Sequence, residues 1–197
     1  GIREAVFSGL VTIKSAAPQG NGFTLEEMQD TLLSYRPAET DVFLDTQIPR
    51  DRFQELLPKG SGVWVLGIPR IEKKALQPFG PTIVKRVEKP TFLFLADNFL
   101  PDPSWDDPHS PPRRWYSGTT ALSFPVLRVQ IKEETFYVDS TKVTVVKREK
   151  THLSQTAVEG KTVLAEGIRE GDEIKAERIV ILEQSLVDDK LYVQFCR

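Results

Sequence analysis

Apolar and polar residues alternate along most of this chain in short runs, the pattern of half-buried β-strands rather than of helices. Strands are predicted at "AVFSGLVTIK" from Ala5, "GFTL" from Gly22, "TDVFLDT" from Thr40, "VWVLGI" from Val63, "PTIVKRV" from Pro81 and "TFLFLA" from Thr91. A second series follows at "FPVLRVQIK" from Phe124, "TFYVDS" from Thr135, "TKVTVVK" from Thr141, "TVLAEGI" from Thr162, "AERIVIL" from Ala176 and "KLYVQF" from Lys190. Helical spacing is confined to short stretches. Phe53, Leu56 and Leu57 share a face in "IPRDRFQELLPKG", and Thr151, Leu153 and Val158 give a weaker helical turn in "THLSQTAVEG". Met28, Leu32 and Leu33, in the connection that begins at Glu26, predict a third short amphipathic helix.

Two frames stand out. "GSGVWVLGI" from Gly60 and "GKTVLAEGI" from Gly160 both open on Gly, carry Val in fourth place and close on Gly-Ile. Each follows a predicted strand and short helix and precedes another strand. Gly67 and Gly167 fall late in their strands, where glycine marks a bulge or sharp bend. Trp64 is expected to be largely buried. Three strands, a short helix and two strands is the order of the OB-fold, a five-stranded Greek-key barrel with its helix between the third and fourth strands.

The chain therefore resembles a tandem of two OB-like barrels of all-β class, over residues 1–96 and 119–197. "TFLFLA" and "KLYVQF" are added closing strands. The alternative is a pair of β-rich domains that share their Gly and Val positions by chance. The stretch from Phe124 to Leu182 is also similar to a group of uncharacterised bacterial OB-like domains, through "TFYVDSTKVTV", "VEGKTVLAEGI" and "IKAERIVIL". Members of that group often occur in exported proteins, and the resemblance implies no activity.

Between the barrels, residues 97–118 are rich in proline, which forbids a regular helix or central strand. They also carry Phe99, Trp105, Trp115 and Tyr116, more aromatic surface than a flexible tether needs. The expectation is an ordered strap laid against one or both barrels, with a solvated tether as the alternative.

Composition then narrows the function classes. A net charge of −2 gives no global attraction to nucleic acid or anionic lipid, so any such binding must be local. No apolar run approaches the ~18 residues of a membrane span. No secretory signal is read in "GIREAVFSGLV", and cytoplasmic and exported locations both stay open. Cys196 is the single cysteine, so an intrachain disulfide and a cysteine-clustered metal site are excluded. His109 lies beside Asp106 and Asp107, but Asp-Asp-Pro is ordinary turn composition. No nucleophile elbow, P-loop, zinc-protease or dinucleotide motif occurs. The pairs Glu26–Glu27, Glu133–Glu134 and Asp188–Asp189 are read as solvated charge. No catalytic residue, metal or cofactor is predicted, and the chain is expected not to be an enzyme.

Binding is where an OB barrel leads, on the outer face of strands two and three, between the loops that join strands one to two and four to five. In the first series the four-to-five loop is read as "PRIEKKALQPFG". Over residues 70–89, Arg70, Lys73, Lys74, Lys85, Arg86 and Lys89 outnumber Glu72 and Glu88, and Phe79 in the loop and Phe43 on the third strand offer rings on which bases could stack. Arg113, Arg114, Trp115 and Tyr116 form a second basic–aromatic cluster. The leading expectation is a protein-interaction or assembly module, binding a partner or itself. The alternative is single-stranded nucleic acid on the first barrel's loops.

Overall fold

The computed structural model describes residues 3–18, 20–57, 59–69, 91–101, 113–122 and 127–196. The protein is all-β. Its strands are β1 (Glu4–Ala16), β2 (Gly22–Leu25), β3 (Leu32–Ser34), β4 (Asp41–Ile48), β5 (Gly62–Pro69) and β6 (Thr91–Pro101), then β7 (Arg114–Leu122), β8 (Arg128–Ile131), β9 (Glu134–Val138), β10 (Thr144–Lys150), β11 (Thr162–Glu170) and β12 (Glu173–Leu182). Helical structure is short: 3₁₀ turns at Arg50–Arg52 and Leu153–Gln155, and helices α1 (Phe53–Leu56), α2 (Gln184–Val187) and α3 (Lys190–Phe195). The strand expected at Pro81 lies outside the described residues.

Two secondary-structure expectations are overturned. "KLYVQF" forms helix α3, not a strand. The carboxylate of Asp189, expected to be solvated, accepts the Tyr192 N–H at 3.0 Å, and the buried Tyr192 and Cys196 stand one helical turn apart. The connection from Glu26 is not a helix either. A turn closed by Thr31 N–H on the Met28 carbonyl leads into β3, where Leu33 enters the core while Leu32 and Ser34 face the other way. Glu27 is no free charge: its carboxylate accepts the Thr12 N–H beside the point where β2 leaves β1.

The contacts divide the chain into two compact units that are not consecutive. Residues up to Thr46 and Glu149–Val193 form one, and Gln47–Arg148 with Gln194–Cys196 form the other. The boundaries expected at 96 and 119 do not fall between them. The reason is strand partnership: β1 pairs antiparallel with β11 from Glu4↔Glu170 to Thr12↔Thr162, not with a strand of its own half.

In the first unit, β1–β2, β2–β3, β12–β11 and β11–β1 pair antiparallel and β3–β12 parallel, which closes a five-stranded, OB-like barrel. Beyond a break at residues 35–40, β4 resumes beside β12 from Asp41↔Arg178 to Asp45↔Leu182. Val11, Ile13, Leu25, Leu33, Val163 and Ile174 fill the interior, with Leu153 and Val158 from the helical turn and its exit. Removing these side chains from water is the main source of the unit's stability.

In the second unit, β7 pairs antiparallel with β5 and β8, β9 pairs antiparallel with β8 and β6, and β5 lies parallel to β6. The "TFLFLA" strand, β6, thus completes this ring, while β10 pairs with its first half. The Phe99 ring sits edge-on to Tyr116 at 5.6 Å and to Phe136 at 5.2 Å between centroids. Phe53 and Leu57 from the α1 region join the same core.

The two glycine frames occupy matching positions. Gly60 and Gly160 both take positive φ, +87° and +79°. The Gly60 N–H donates to the Thr120 carbonyl and Gly160 N–H to that of Ile13, each at 2.8 Å; Thr120 and Ile13 N–H donate back to Ser61 and Lys161. Gly67 and Gly167 both sit at a register shift, where a Cβ would collide with the carbonyl oxygen of Ala96 or of Lys175. Trp64, expected to be largely buried, is only half-buried, because Val63 and Val65 on either side take the inward positions.

Candidate functional site

On OB-fold barrels ligands dock on the outer side of the second and third strands. In the first unit those strands are β2 and β3. Phe23, Leu25 and Leu33 turn toward the core, so Thr24, Leu32 and Ser34 face outward. Two turns wall this face. One is the β1–β2 connection, held by Ala17 N–H on the Gly22 carbonyl at 2.9 Å and Gly20 N–H on the Ala17 carbonyl at 3.0 Å. The other is the two-residue β11–β12 hairpin turn at Gly171–Asp172, with Gly171 at φ +62°. The Asp172 carbonyl accepts Leu32 N–H at 2.8 Å, tying this turn to β3.

Against this face, from the first turn to Glu173 just after the second, lies a pocket of about 560 Å³. Ala17, Pro18 and Leu32 give it apolar surface, and Asn21, Thr24 and Ser34 bring polar side chains to it. Ser34 is only 6 % exposed, so this outward-facing residue is largely covered by its surroundings. The Thr24 hydroxyl is held at 2.9 Å from that of Ser15. Arg36 and Glu173 add one charge of each sign. Arg36 is bridged to Glu39 at 2.8 Å, and Lys175, next outward residue of β12 after Glu173, is bridged to Glu170 at 2.7 Å. That bridge, with Glu173 adding to it, raises the Lys175 ammonium above the ordinary lysine range. A cavity of this size, part apolar with a few converging polar groups, fits a small ligand or a side chain of a partner.

The structure places the residues singled out by sequence differently. Arg70, Lys73, Lys74, Phe79, Lys85, Arg86 and Trp105 lie outside the described residues, as do His109, Asp106 and Asp107. Phe43 is 4 % exposed in the first unit, with the Arg178 guanidinium 5.9 Å from its ring centroid, so no base can stack there. Trp115 and Tyr116 are 3 % and 2 % exposed strand residues of β7, not part of a strap. Residues 97–101 and 114–118 of that expected strap are strand. Burial pushes the Tyr116 phenol above its ordinary range, against a weaker opposing effect of Arg114. Arg113 is engaged by Asp97 and lies 5.7 Å from the Phe195 ring centroid, while Arg114 is exposed and donates to the Arg113 carbonyl at 2.9 Å. The basic–aromatic cluster at 113–116 therefore offers no exposed ring.

The loop beside this face is not the one expected from the sequence. The barrel built on β1–β3 takes its fourth and fifth strands from the far end of the chain, so its four-to-five loop is Gly171–Asp172 and not "PRIEKKALQPFG". Ser34 and Arg36 escape the sequence-based expectation because it places a short helix, through Met28, Leu32 and Leu33, where β3 forms; the inward–outward alternation of Leu32, Leu33 and Ser34 is the signal that points to the strand. Among the described residues no cluster of His, Cys, Asp and Glu has the makings of a metal site, and no helix is long and apolar enough to cross a membrane. No family model matches the chain, and no curated protein or solved structure matches it either.

Proposed function

We propose that this chain is a binding module that captures a segment of a partner protein on the outer β2–β3 face of its first unit. The observation that carries the reading is the pocket that runs from the Ala17–Asn21 turn to Glu173 and is lined by the largely covered Ser34. Its mixture of aliphatic surface, hydroxyls and charges of both signs matches the chemistry of a polypeptide. Single-stranded nucleic acid asks for exposed rings and an excess of cations along a groove. On this face Arg36 and Lys175 are offset by Glu39, Glu170 and Glu173, and the nearby Phe23 and Tyr35 pack against the core.

The test is panning of a random peptide display library on the whole chain, with binders then measured against Ser34→Trp, which fills the pocket. Binders that lose affinity for Ser34→Trp support the reading, and binders indifferent to it overturn it. Short single strands that bind instead, with affinity falling steeply as salt rises, would transfer the function to nucleic acid.

A further inference from the structure

We infer that the side chain this pocket receives is cationic, a lysine or arginine of the partner segment whose stem lies on Ala17, Pro18 and Leu32 and whose charge meets Glu173. The inference rests on the proposed use of the β2–β3 face and adds to it the chemistry of the occupant.

Three observations carry it. First, the charges around the pocket are unequally satisfied. Arg36 has Glu39 at 2.8 Å and Lys175 has Glu170 at 2.7 Å, whereas the partly buried Glu173 meets Lys175 only as a more distant charge and has no hydrogen bond or ion pair of its own among the described residues. Adding a cation completes the set, and adding an anion leaves Glu173 facing a like charge. Second, Glu173 is fixed in place. It stands opposite Leu32 in the β12–β3 pairing and opposite Glu170 across the hairpin, one residue beyond a turn tied to β3. Strand pairing holds its backbone, so only the side-chain torsions remain to be ordered when a cation is met. Third, the apolar part of the lining suits the methylene stem of Lys or Arg, which buries its carbons while its charged end reaches for a polar partner. The hydroxyls of Ser34 and Thr24 and the Asn21 amide can accept the remaining donors of such a head group.

The experiment is an amide NMR titration of the whole chain with N-acetyl-arginine methylamide and N-acetyl-lysine methylamide. The neutral isostere N-acetyl-norleucine methylamide and the anionic N-acetyl-glutamate methylamide run beside them. The expected result is saturable shifts at Asn21, Thr24, Leu32 and Ser34 with the two cations. Glu173→Gln should weaken that binding about tenfold, the loss of one charge-assisted contact. If norleucine or glutamate shifts the same amides with equal affinity, or if Glu173→Gln changes nothing, the cationic assignment falls while the pocket stands. If none of the four probes moves those amides, and panning yields no pocket-dependent binder, the proposed binding face itself falls.

Discussion

The two units use the same strand in the same way and then close around it in opposite directions. β11 and β5 both begin after a left-handed glycine, pair antiparallel with a first strand (β1 or β7) and bend at a bulge glycine. In the first unit the next strand, β12, returns antiparallel through Gly171–Asp172. In the second, the neighbour of β5 is β6, parallel to it and reached through residues 70–90. A two-residue turn can only send the chain back beside itself, whereas a parallel neighbour requires a crossover. The frame thus supplies a bent strand, and the connection after it decides the direction of closure. The difference also shapes the candidate pocket of the first unit, because the short hairpin turn brings Glu173 beside Leu32 of β3.

Four measurements test how far the likeness of the two units extends. The largest effect concerns the interleaving. A chain cut at a protease site introduced between residues 103 and 112 should run as one particle in gel filtration, since the first unit joins residues before 46 to residues after 149. Release of two separate halves would restore consecutive barrels. Next come the bulges. Gly67→Ala and Gly167→Ala each force a methyl group into a carbonyl of the paired strand and should cost on the order of 3 kcal/mol in urea unfolding. Gly9→Ala, whose Cβ meets only the Phe7 ring at 3.4 Å, should stay within about 0.5 kcal/mol of the parent. Unequal costs at 67 and 167 would mean that the two frames are alike in sequence only.

Smaller still is the left-handed glycine. At Gly60 and Gly160 an added Cβ meets nothing within 4 Å, so Ala there isolates the backbone cost, about 1–2 kcal/mol at each. The smallest effect separates the two interrupted third strands. The break before β4 is held by a neutral hydroxyl, Thr40 donating to the Ala176 carbonyl at 2.7 Å. The break before β10 is held by Asp139, whose carboxylate accepts the Thr141 hydroxyl at 2.6 Å and its N–H at 2.9 Å. Those bonds hold the Asp139 carboxyl below the ordinary aspartate range. Because the folded value is depressed, the stabilisation is complete above the ordinary aspartate value and is lost as pH falls through the folded one. Carbon-detected NMR titration should show the Asp139 midpoint rising toward the ordinary value in Thr141→Val, and no shift there would sink the assignment.

Much of this architecture is written in local patterns. Alternation along "GFTL", "TDVFLDT" and "TVLAEGI" specifies strands because consecutive side chains leave a strand on opposite sides. Glycine at 60, 160, 67 and 167 marks turns and bulges because no other residue fits there without strain or collision. Asp189 followed by a Tyr192–Cys196 spacing specified a helix too, although its β-like composition hid it.

Partnership between strands is a different matter. Nothing within β1 names β11 as its neighbour. That choice belongs to the free energy of closing a whole barrel, in which Val11, Ile13, Val163 and Ile174 leave water together. The candidate pocket inherits this dependence. Thr24, Ser34 and Glu173 are unremarkable polar residues in the chain, and they become a site only when the end of the chain folds back to complete the barrel begun at its start.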